Sequence, residues 1–266
     1  RRMRKVCKHG LMGLLAAMAL GGQVLAADFV IVSGGVARCT IVVPDANKSD
    51  DSWFGACELT NHIFKITGVS VPVVRDSDAV PSGPVIVVGH STSYKTSYGY
   101  DPSFGHQEYA VQFTNNAVFL LGHEDLGGLA PVPTWPNLNW LPQSEWDGAW
   151  EGYVGYHGTL YAVYDFLEKL CGVRWYHVGE LGTTYPTTGT LVVPTTNIRR
   201  TPAMSYRSAP GLDKLGEMIL TAPAGWGTTS NEEQRKWALR NKVGGQNFGV
   251  SHSMIHYYNY FGATHP

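Results

Sequence analysis

The sequence predicts an α/β fold of the α+β type, in which a mixed sheet is covered by two helices. Short β-branched runs bounded by Gly or Pro, such as VIVV at residues 85–88, indicate strands. Two longer segments, 49–67 and 160–171, carry apolar residues at helical spacing, and a glycine follows each. Strands and helices in this mixture form layers around one core.

The other strands follow from the same signals. They are expected at residues 29–32, 40–43, 71–74, 173–177 and 190–193. Residues 109–121 predict a hairpin that turns at Asn115 and Asn116, because Asn tolerates the positive φ of tight hairpin turns. The hairpin completes the predicted mixed sheet.

The first helix is predicted to begin with Ser49 as its N-cap and to end at Gly68. Its expected buried stripe consists of Trp53, Ala56, Cys57, Thr60, Ile63 and Phe64.

The second helix buries a face made of Leu160, Val163, Tyr164, Leu167 and Cys171. The same spacing predicts that Asp165, Glu168 and Lys169 face water. Gly172 then ends the helix, and an aromatic strand, GVRWY, follows.

The N-terminus has the pattern of a secretory signal peptide. A basic cluster precedes an apolar run at residues 11–20, and the small-residue sequence VLA follows at residues 24–26. The cluster consists of Arg1, Arg2, Arg4, Lys5 and Lys8. We therefore expect residues 1–27 to be a signal peptide, cleaved after Ala26 or Ala27, and the mature chain to be secreted or periplasmic. The apolar run is too short to span a bilayer, so no membrane span is expected in the mature chain.

Charge then excludes some partners. The signal segment carries five of the 20 basic residues and none of the 21 acidic ones, which leaves 15 against 21. Nucleic acids and anionic membranes favour basic surfaces, so no nucleic acid partner is expected. The oligomeric state cannot be read from the sequence.

Cysteine and histidine spacing indicates no cofactor and no metal. Cys39, Cys57 and Cys171 are expected to be small buried hydrophobic residues, with a disulfide between two of them as the alternative. His252 and His256 lie four residues apart, but no carboxylate ligand is near them in the sequence.

The second helix, the strand GVRWY and the turn GELGTTYP together resemble a known domain. They look like the accessory α/β domain that precedes the catalytic barrel in β-hexosaminidases of glycoside hydrolase family 20 and α-glucuronidases of family 67. A closer likeness is to uncharacterised secreted bacterial proteins that join this domain to a barrel. The segments ACELTNHIFKITGVSVPVV and GPVIVVGHS occur in the order that this domain uses, so the resemblance covers roughly residues 28–207.

The resemblance continues into PAMSYRSAP at residues 202–210, which is similar to the first strand of that barrel. After the signal peptide at 1–27, it implies an accessory domain at 28–200 and the start of a truncated catalytic barrel at 201–266. That start would comprise the first strands and helix of an incomplete (β/α)8 barrel, with the second strand at 246–250.

Two site residues follow from the barrel. In the hexosaminidase family an arginine near the end of the first strand contacts the terminal sugar, and Arg207 matches that position, although the following SAPGLD departs from the usual glycine-rich continuation. An ordinary surface or salt-bridged arginine is the alternative. His252 follows the predicted second strand, where barrel enzymes place binding residues.

A long aromatic segment, 123–157, separates the hairpin from the second helix. Segments of this length without periodicity are usually functional or disordered, and the aromatic content argues against disorder. Trp140, Trp146 and Trp150 are therefore candidates to stack on a sugar ring, or alternatively to pin the segment to its own domain.

The sequence thus predicts the N-terminal part of a secreted glycoside hydrolase-like protein that acts on polysaccharide or glycan. A noncatalytic carbohydrate-binding or cell-surface module is the alternative. The resemblance places the catalytic acids on later barrel strands, so no catalytic residue is assigned and this chain alone is expected to be inactive.

Overall fold

A computed structural model describes residues 28–45, 50–78, 81–125, 156–207 and 231–245. The strands are β1 Phe29–Ser33, β2 Val36–Ala37, β3 Thr40–Val43, β4 Val73–Arg75, β5 Val85–Val88, β6 Tyr109–Thr114, β7 Ala117–Gly122, β8 Glu124–Asp125, β9 Tyr156–His157, β10 Arg174–Trp175, β11 Thr183–Thr184, β12 Leu191–Val193, β13 Ile198–Arg200, β14 Tyr206–Arg207 and β15 Gly244–Gly245. The helices are α1 Asp50–Thr67, α2 Thr92–Tyr98, α3 Gly158–Asp165 and α4 Asn231–Arg240, with a π-helix at Phe166–Leu170 and a 3-10 helix at Glu180–Gly182.

The main sheet is mixed, as predicted. Its strands lie in the order β13-β6-β7-β5-β3-β4, in which β4, β3, β5 and β7 are mutually parallel. The strands β6 and β13 are antiparallel to their neighbours. A smaller sheet joins β1 to β12 and β2 in antiparallel pairs. The α/β fold class is therefore confirmed.

Helices α1 and α3 cover one face of the main sheet and α2 covers the other. Ile86, Val88 and Leu120 pack with α1 and α3 in one apolar cluster. Their alternating neighbours, Val87 and Phe119, pack with Tyr94 of α2 in a second cluster. This alternation follows from the strand period of two.

The end of α1 is as predicted, but its buried stripe is displaced. Gly68 has φ +73 and its N–H donates to the Phe64 carbonyl at 2.7 Å, which closes the helix. Phe64 is 51 % exposed, so its predicted burial is wrong. Leu59 and Ile66 are buried beside Ile63 instead, because α3 and α4 pack around α1 and centre the stripe about one residue away.

The second helix confirms its predicted apolar face, since Leu160, Val163, Tyr164, Leu167 and Cys171 are all buried. It changes from α3 into the π-helix before Gly172, which has φ +79.

The predicted exposure of Asp165 is wrong. Its side chain is buried because Tyr109, Lys242 and Arg200 converge on its carboxylate from other elements.

Other boundaries differ by one to three residues. The predicted strand 71–74 is Val73–Arg75, and only Arg174–Trp175 of 173–177 pairs, with Thr183–Thr184. The hairpin turns at Asn115 and Asn116 as predicted, and Asn116 has φ +61.

All three cysteines of the described part, Cys39, Cys57 and Cys171, are free and buried. No helix in the described ranges has the length and apolar character needed to cross a membrane.

The region beyond residue 200 contacts the main body. Helix α4 packs on α3, and Ala238 and Leu239 enter the large apolar cluster. Strand β14 pairs antiparallel with β15. The signal segment 1–27 and the predicted barrel strand 246–250 lie outside the described residues, so the division into three parts stays a prediction.

Candidate functional site

The carboxyl ends of the parallel strands β3, β5 and β7 meet at one edge of the main sheet. Ligands of open α/β sheets bind at such an edge. Strands β8 and β9 form a short ladder directly after β7, pairing Glu124 with His157. Both ends of the aromatic segment therefore start from this edge.

Two glycines bring α3 onto the edge at very close range. A Cβ on Gly158 would lie 2.5 Å from the His123 nitrogen, and one on Gly122 would lie 2.6 Å from the Glu108 carbonyl oxygen. The Gly158 N–H donates to the His123 carbonyl at 2.9 Å. Because real Cβ atoms do not approach backbone this closely, only glycine fits, and the start of α3 is fixed.

A buried hydrogen bond between a histidine and a carboxylate follows at the same point. His157, immediately before α3, donates from Nδ1 to Oδ1 of Asp51 at 2.8 Å, and each side chain is 1 % exposed. Asp51 is the second residue of α1, where the helix dipole favours a negative charge. Oδ2 of Asp51 is buried and has no hydrogen-bond partner.

Tyr161 lies one turn along α3 and connects this pair to Arg207. The rings of His157 and Tyr161 meet edge to face, with 6.4 Å between centroids. The Tyr161 hydroxyl accepts from Nη2 of Arg207 at 3.0 Å, and the guanidinium lies 5.5 Å from the Tyr161 ring centroid. Arg207 is therefore placed at the edge from which the aromatic segment emerges.

Arg207 is held by several acceptors besides Tyr161. Its Nε donates to the Lys242 carbonyl at 2.5 Å and its Nη1 to the Met204 carbonyl at 2.6 Å. Nη1 also donates to Oε1 of Gln107. Four of the five N–H donors of the guanidinium are thus engaged, which fixes its plane.

Gln107 and Lys242, which hold Arg207, have strained backbones. Their φ angles are +59 and +56, and Asn116 is the third non-glycine residue with positive φ in the described ranges. This conformation costs roughly 1–2 kcal/mol for a residue with a Cβ. At Lys242 this conformation ends α4, because the Val243 N–H donates to the Ala238 carbonyl and the Lys242 N–H to the Leu239 carbonyl, each at 2.9 Å.

Lys242 also forms a salt bridge with a buried carboxylate. Its ammonium lies 2.8 Å from Oδ1 of buried Asp165, which accepts from the Tyr109 hydroxyl at 3.0 Å through Oδ2. Burial raises the pKa of Tyr109 well above its usual range, and the adjacent Asp165 charge raises it further. The salt bridge explains why a lysine occupies a position where glycine would carry no strain.

Burial raises the pKa of Tyr161 to about 12, although the Arg207 charge opposes the shift. We expect Tyr161→Phe to lower the free energy of unfolding by about 1.5 kcal/mol, because the Arg207 guanidinium loses an acceptor. Urea denaturation measures this. The control is Tyr98→Phe, whose hydroxyl has no hydrogen bond in the described structure and whose effect should stay within about 0.5 kcal/mol. Equal losses in both variants would contradict a role for the hydroxyl bond.

The structure describes Arg207, which the sequence predicted as a site residue. His252, Trp140, Trp146 and Trp150 lie outside the described residues and stay predictions. Sequence reasoning missed Asp51, His157 and Tyr161, which share this edge. Asp51, after residue 49, and His157, before Gly158, could have been found from their positions beside a helix start, whereas Tyr161 carries no such signal.

The chemistry open to the described residues depends on their carboxylates and on their metal-ligating side chains. The buried carboxylates of the described residues, Asp51, Glu58 and Asp165, are each paired with a histidine, arginine or lysine. No group of three His, Cys, Asp or Glu residues in the described ranges is arranged to hold a metal ion.

No family model and no curated protein matches the chain. Several solved structures are similar to it, including two glycoside hydrolases. One is a family GH20 β-N-acetylhexosaminidase from Streptomyces coelicolor, with 14 % identity and a TM-score of 0.38 over 69 % of this chain and 25 % of that one. The other is a family GH115 4-O-methyl-α-glucuronidase with specificity for decorated arabinogalactans, with 14 % identity and a TM-score of 0.46 over 81 % of this chain and 25 % of that one. The chain thus spans about a quarter of the length of either structure.

Proposed function

We propose that this chain is the N-terminal part of a secreted glycoside hydrolase-like protein that acts on polysaccharide or glycan, with a sugar-contact edge at Arg207. One observation carries the proposal. Arg207 is fixed on Tyr161, and His157, one turn before Tyr161, pairs with Glu124 at the base of the aromatic segment. A candidate sugar-binding arginine and the two described ends of the tryptophan-rich segment therefore share one edge.

The chemistry of the edge suits a sugar. The fifth N–H donor of Arg207, on Nη2, has no acceptor among the described residues, so it is available to a ligand hydroxyl. Trp140, Trp146 and Trp150 would supply the flat apolar surfaces on which sugar rings stack. Hydrogen bonding by one fixed donor and stacking by aromatic rings are complementary contacts.

The proposed role of the described part is binding rather than cleavage. Glycoside hydrolysis needs a carboxylic acid with a raised pKa to protonate the leaving oxygen. The Arg240 charge and hydrogen bonds hold the pKa of Glu58 below its usual value, although burial acts in the opposite direction. Asp51 and Asp165 are also paired, with His157 and Lys242 respectively. This favours the noncatalytic carbohydrate-binding role for the described residues.

Tryptophan fluorescence titration of the mature chain tests the proposal. The probes are an N-acetylglucosamine tetrasaccharide and glucuronoxylan. They represent the substrate classes of the β-hexosaminidases and the α-glucuronidases, the two families that the sequence resembles. We expect one of them to bind, and we expect the triple variant Trp140→Ala, Trp146→Ala and Trp150→Ala to bind at least about 10-fold more weakly, a loss of 1.4 kcal/mol.

The matched control is Tyr176→Ala, which removes a 73 % exposed aromatic side chain outside the aromatic segment and should leave the affinity unchanged. Absence of binding to both probes, or equal binding by the triple variant, would contradict the proposal. Hydrolysis of 4-nitrophenyl N-acetyl-β-glucosaminide or 4-nitrophenyl α-glucuronide by the mature chain would contradict the noncatalytic role.

A further inference from the structure

A cavity lies at the opposite edge of the main sheet from Arg207. It has a volume of about 600 Å³, within the usual range for small-ligand sites. Pro84 and the turn Asn115–Asn116 line it, and these directly precede β5 and β7. The candidate site at Arg207 follows the other end of β7, roughly 20 Å away along the strand. The two sites are therefore separate, and we call this cavity the amino-edge groove.

The apolar part of the groove is formed by two phenylalanines that join the small sheet to the large one. Phe29 of β1 and Phe113 of β6 pack edge to face with 5.9 Å between ring centroids. Asn197 accepts from the Phe113 N–H through Oδ1 at 2.8 Å. Because an N–H must donate to the amide oxygen, the orientation of the Asn197 side chain is determined. Its Nδ2 group then has no acceptor among the described residues.

The polar part of the groove contains side-chain groups that have no hydrogen-bond partner among the described residues. The side chains of Asn115, Asn116 and Asp28 make no hydrogen bond or ion pair in the described structure. The hydroxyl oxygen of Thr195 is buried and has no partner. A buried unpaired hydroxyl costs about 1–3 kcal/mol, so such a group in a cavity wall calls for an explanation.

The charge of the groove limits its ligands. Among the described residues, its lining contains the Asp28 carboxylate and no lysine, arginine or histidine. Cleavage after Ala26 or Ala27 would add an α-ammonium group beside that carboxylate, so the two together contribute no net charge. Phosphate, sulfate and uronate ligands favour bidentate cationic partners, which the groove lacks.

We propose that the amino-edge groove is a second saccharide-binding site, selective for neutral sugars over uronates. Amide side chains both donate and accept, as sugar hydroxyls do, and the carboxylate of Asp28 accepts from a hydroxyl. The two phenylalanines supply apolar surface beneath them. That the neutral ligand is a saccharide rests on the proposed function, whereas the exclusion of anions rests on the groove alone.

Nuclear magnetic resonance of the ¹⁵N-labelled mature chain tests this directly, because side-chain amide groups give their own signals. The probes are cellotetraose, an N-acetylglucosamine tetrasaccharide and trigalacturonate. We expect a neutral tetrasaccharide to bind with a Kd of about 1 mM and to shift the side-chain amide signals of Asn115, Asn116 and Asn197. Trigalacturonate should bind at least about 10-fold more weakly.

The double variant Asn115→Ala with Asn116→Gly removes two amides from the groove while keeping the turn, since glycine adopts the positive φ of residue 116 without strain. We expect it to weaken binding at least about 5-fold. The control Thr96→Ala changes an exposed residue of α2 that does not line the groove and should bind as the wild type does.

Three results would overturn the proposal: no amide shift with either neutral tetrasaccharide, equal affinity for trigalacturonate, or unchanged binding by the double variant. The triple tryptophan variant separates this site from the Arg207 edge. Amide shifts that persist in that variant support the groove whatever the fluorescence titration shows. If no saccharide binds in the groove but the fluorescence titration shows binding that depends on the three tryptophans, this proposal is wrong and the proposed function stands.

Discussion

Arg240→Met is expected to lower the free energy of unfolding by about 3–5 kcal/mol, because it leaves the charge of Glu58 buried without a partner. Glu58 is fully buried and Arg240 is 7 % exposed. The guanidinium donates to both carboxylate oxygens, from Nε at 3.0 Å and from Nη2 at 2.9 Å. The pair joins α1 to α4 across 182 residues of sequence.

Urea denaturation of the mature chain measures the loss, and a double variant separates pairing from packing. Replacing both partners by methionine removes the charges together, and buried pairs replaced by apolar residues are often neutral or stabilising. We therefore expect Glu58→Met with Arg240→Met to be more stable than Arg240→Met alone. A loss below about 1 kcal/mol in the single variant would show that water reaches Glu58.

Acid should weaken the same contact. Burial alone would raise the pKa of Glu58, but the Arg240 charge and hydrogen bonds outweigh it, so the pKa in the folded chain is below the ordinary value. A depressed pKa adds stability above the unfolded value, about 4.3, and this stability is lost as pH falls through the folded value. The wild type should therefore lose stability more steeply below about pH 4 than the double methionine variant.

His62 shows how the tryptophan of the GVRWY strand contributes to this core. The indole N–H of Trp175 donates to Nε2 of His62 at 3.2 Å, so that nitrogen carries no proton. Nδ1 of His62 then donates to the Glu58 carbonyl at 2.8 Å. Burial lowers the pKa of His62, in agreement with a neutral ring. The GVRWY strand thus has a structural role, because Trp175 is linked through His62 to Glu58.

The features that sequence predicted correctly are those that depend on neighbouring residues. Gly68 and Gly172 end helices because each adopts positive φ, and the hairpin turns at Asn116 for the same reason. The features that it missed depend on distant partners. Asp165 is at a solvent-facing position of the helical pattern, yet Lys242, 77 residues later, keeps it buried.

The same distinction applies to the candidate site. Family resemblance identified Arg207, but its acceptors, Gln107 and Tyr161, come from elements 100 and 46 residues away. No local pattern in the sequence marks those acceptors, because each is an ordinary turn or helix residue until the chain folds. The spacing of apolar residues predicts which face of a helix or strand is buried. It does not predict which polar group from another element will contact that face.

Gly158→Ala is expected to lower the free energy of unfolding by about 3 kcal/mol, since the added Cβ would overlap backbone that cannot move away. It would lie 2.5 Å from the His123 nitrogen and 2.6 Å from the His123 carbonyl oxygen. The substitution has a favourable side, because alanine exceeds glycine in helix propensity by about 1 kcal/mol. A net loss therefore measures the close approach of α3 to the sheet edge.

Hydrogen exchange gives the second readout of this variant. The Gly158 amide is bonded to the His123 carbonyl at 2.9 Å, so residue 158 should exchange faster when α3 is pushed away. Gly189→Ala is the matched control, because a Cβ there meets nothing within 4 Å, and its effect should stay within about 0.5 kcal/mol. If Gly158→Ala instead matches this control, α3 can shift freely. Tyr161 would then not hold Arg207 in the fixed position that the proposed sugar contact requires.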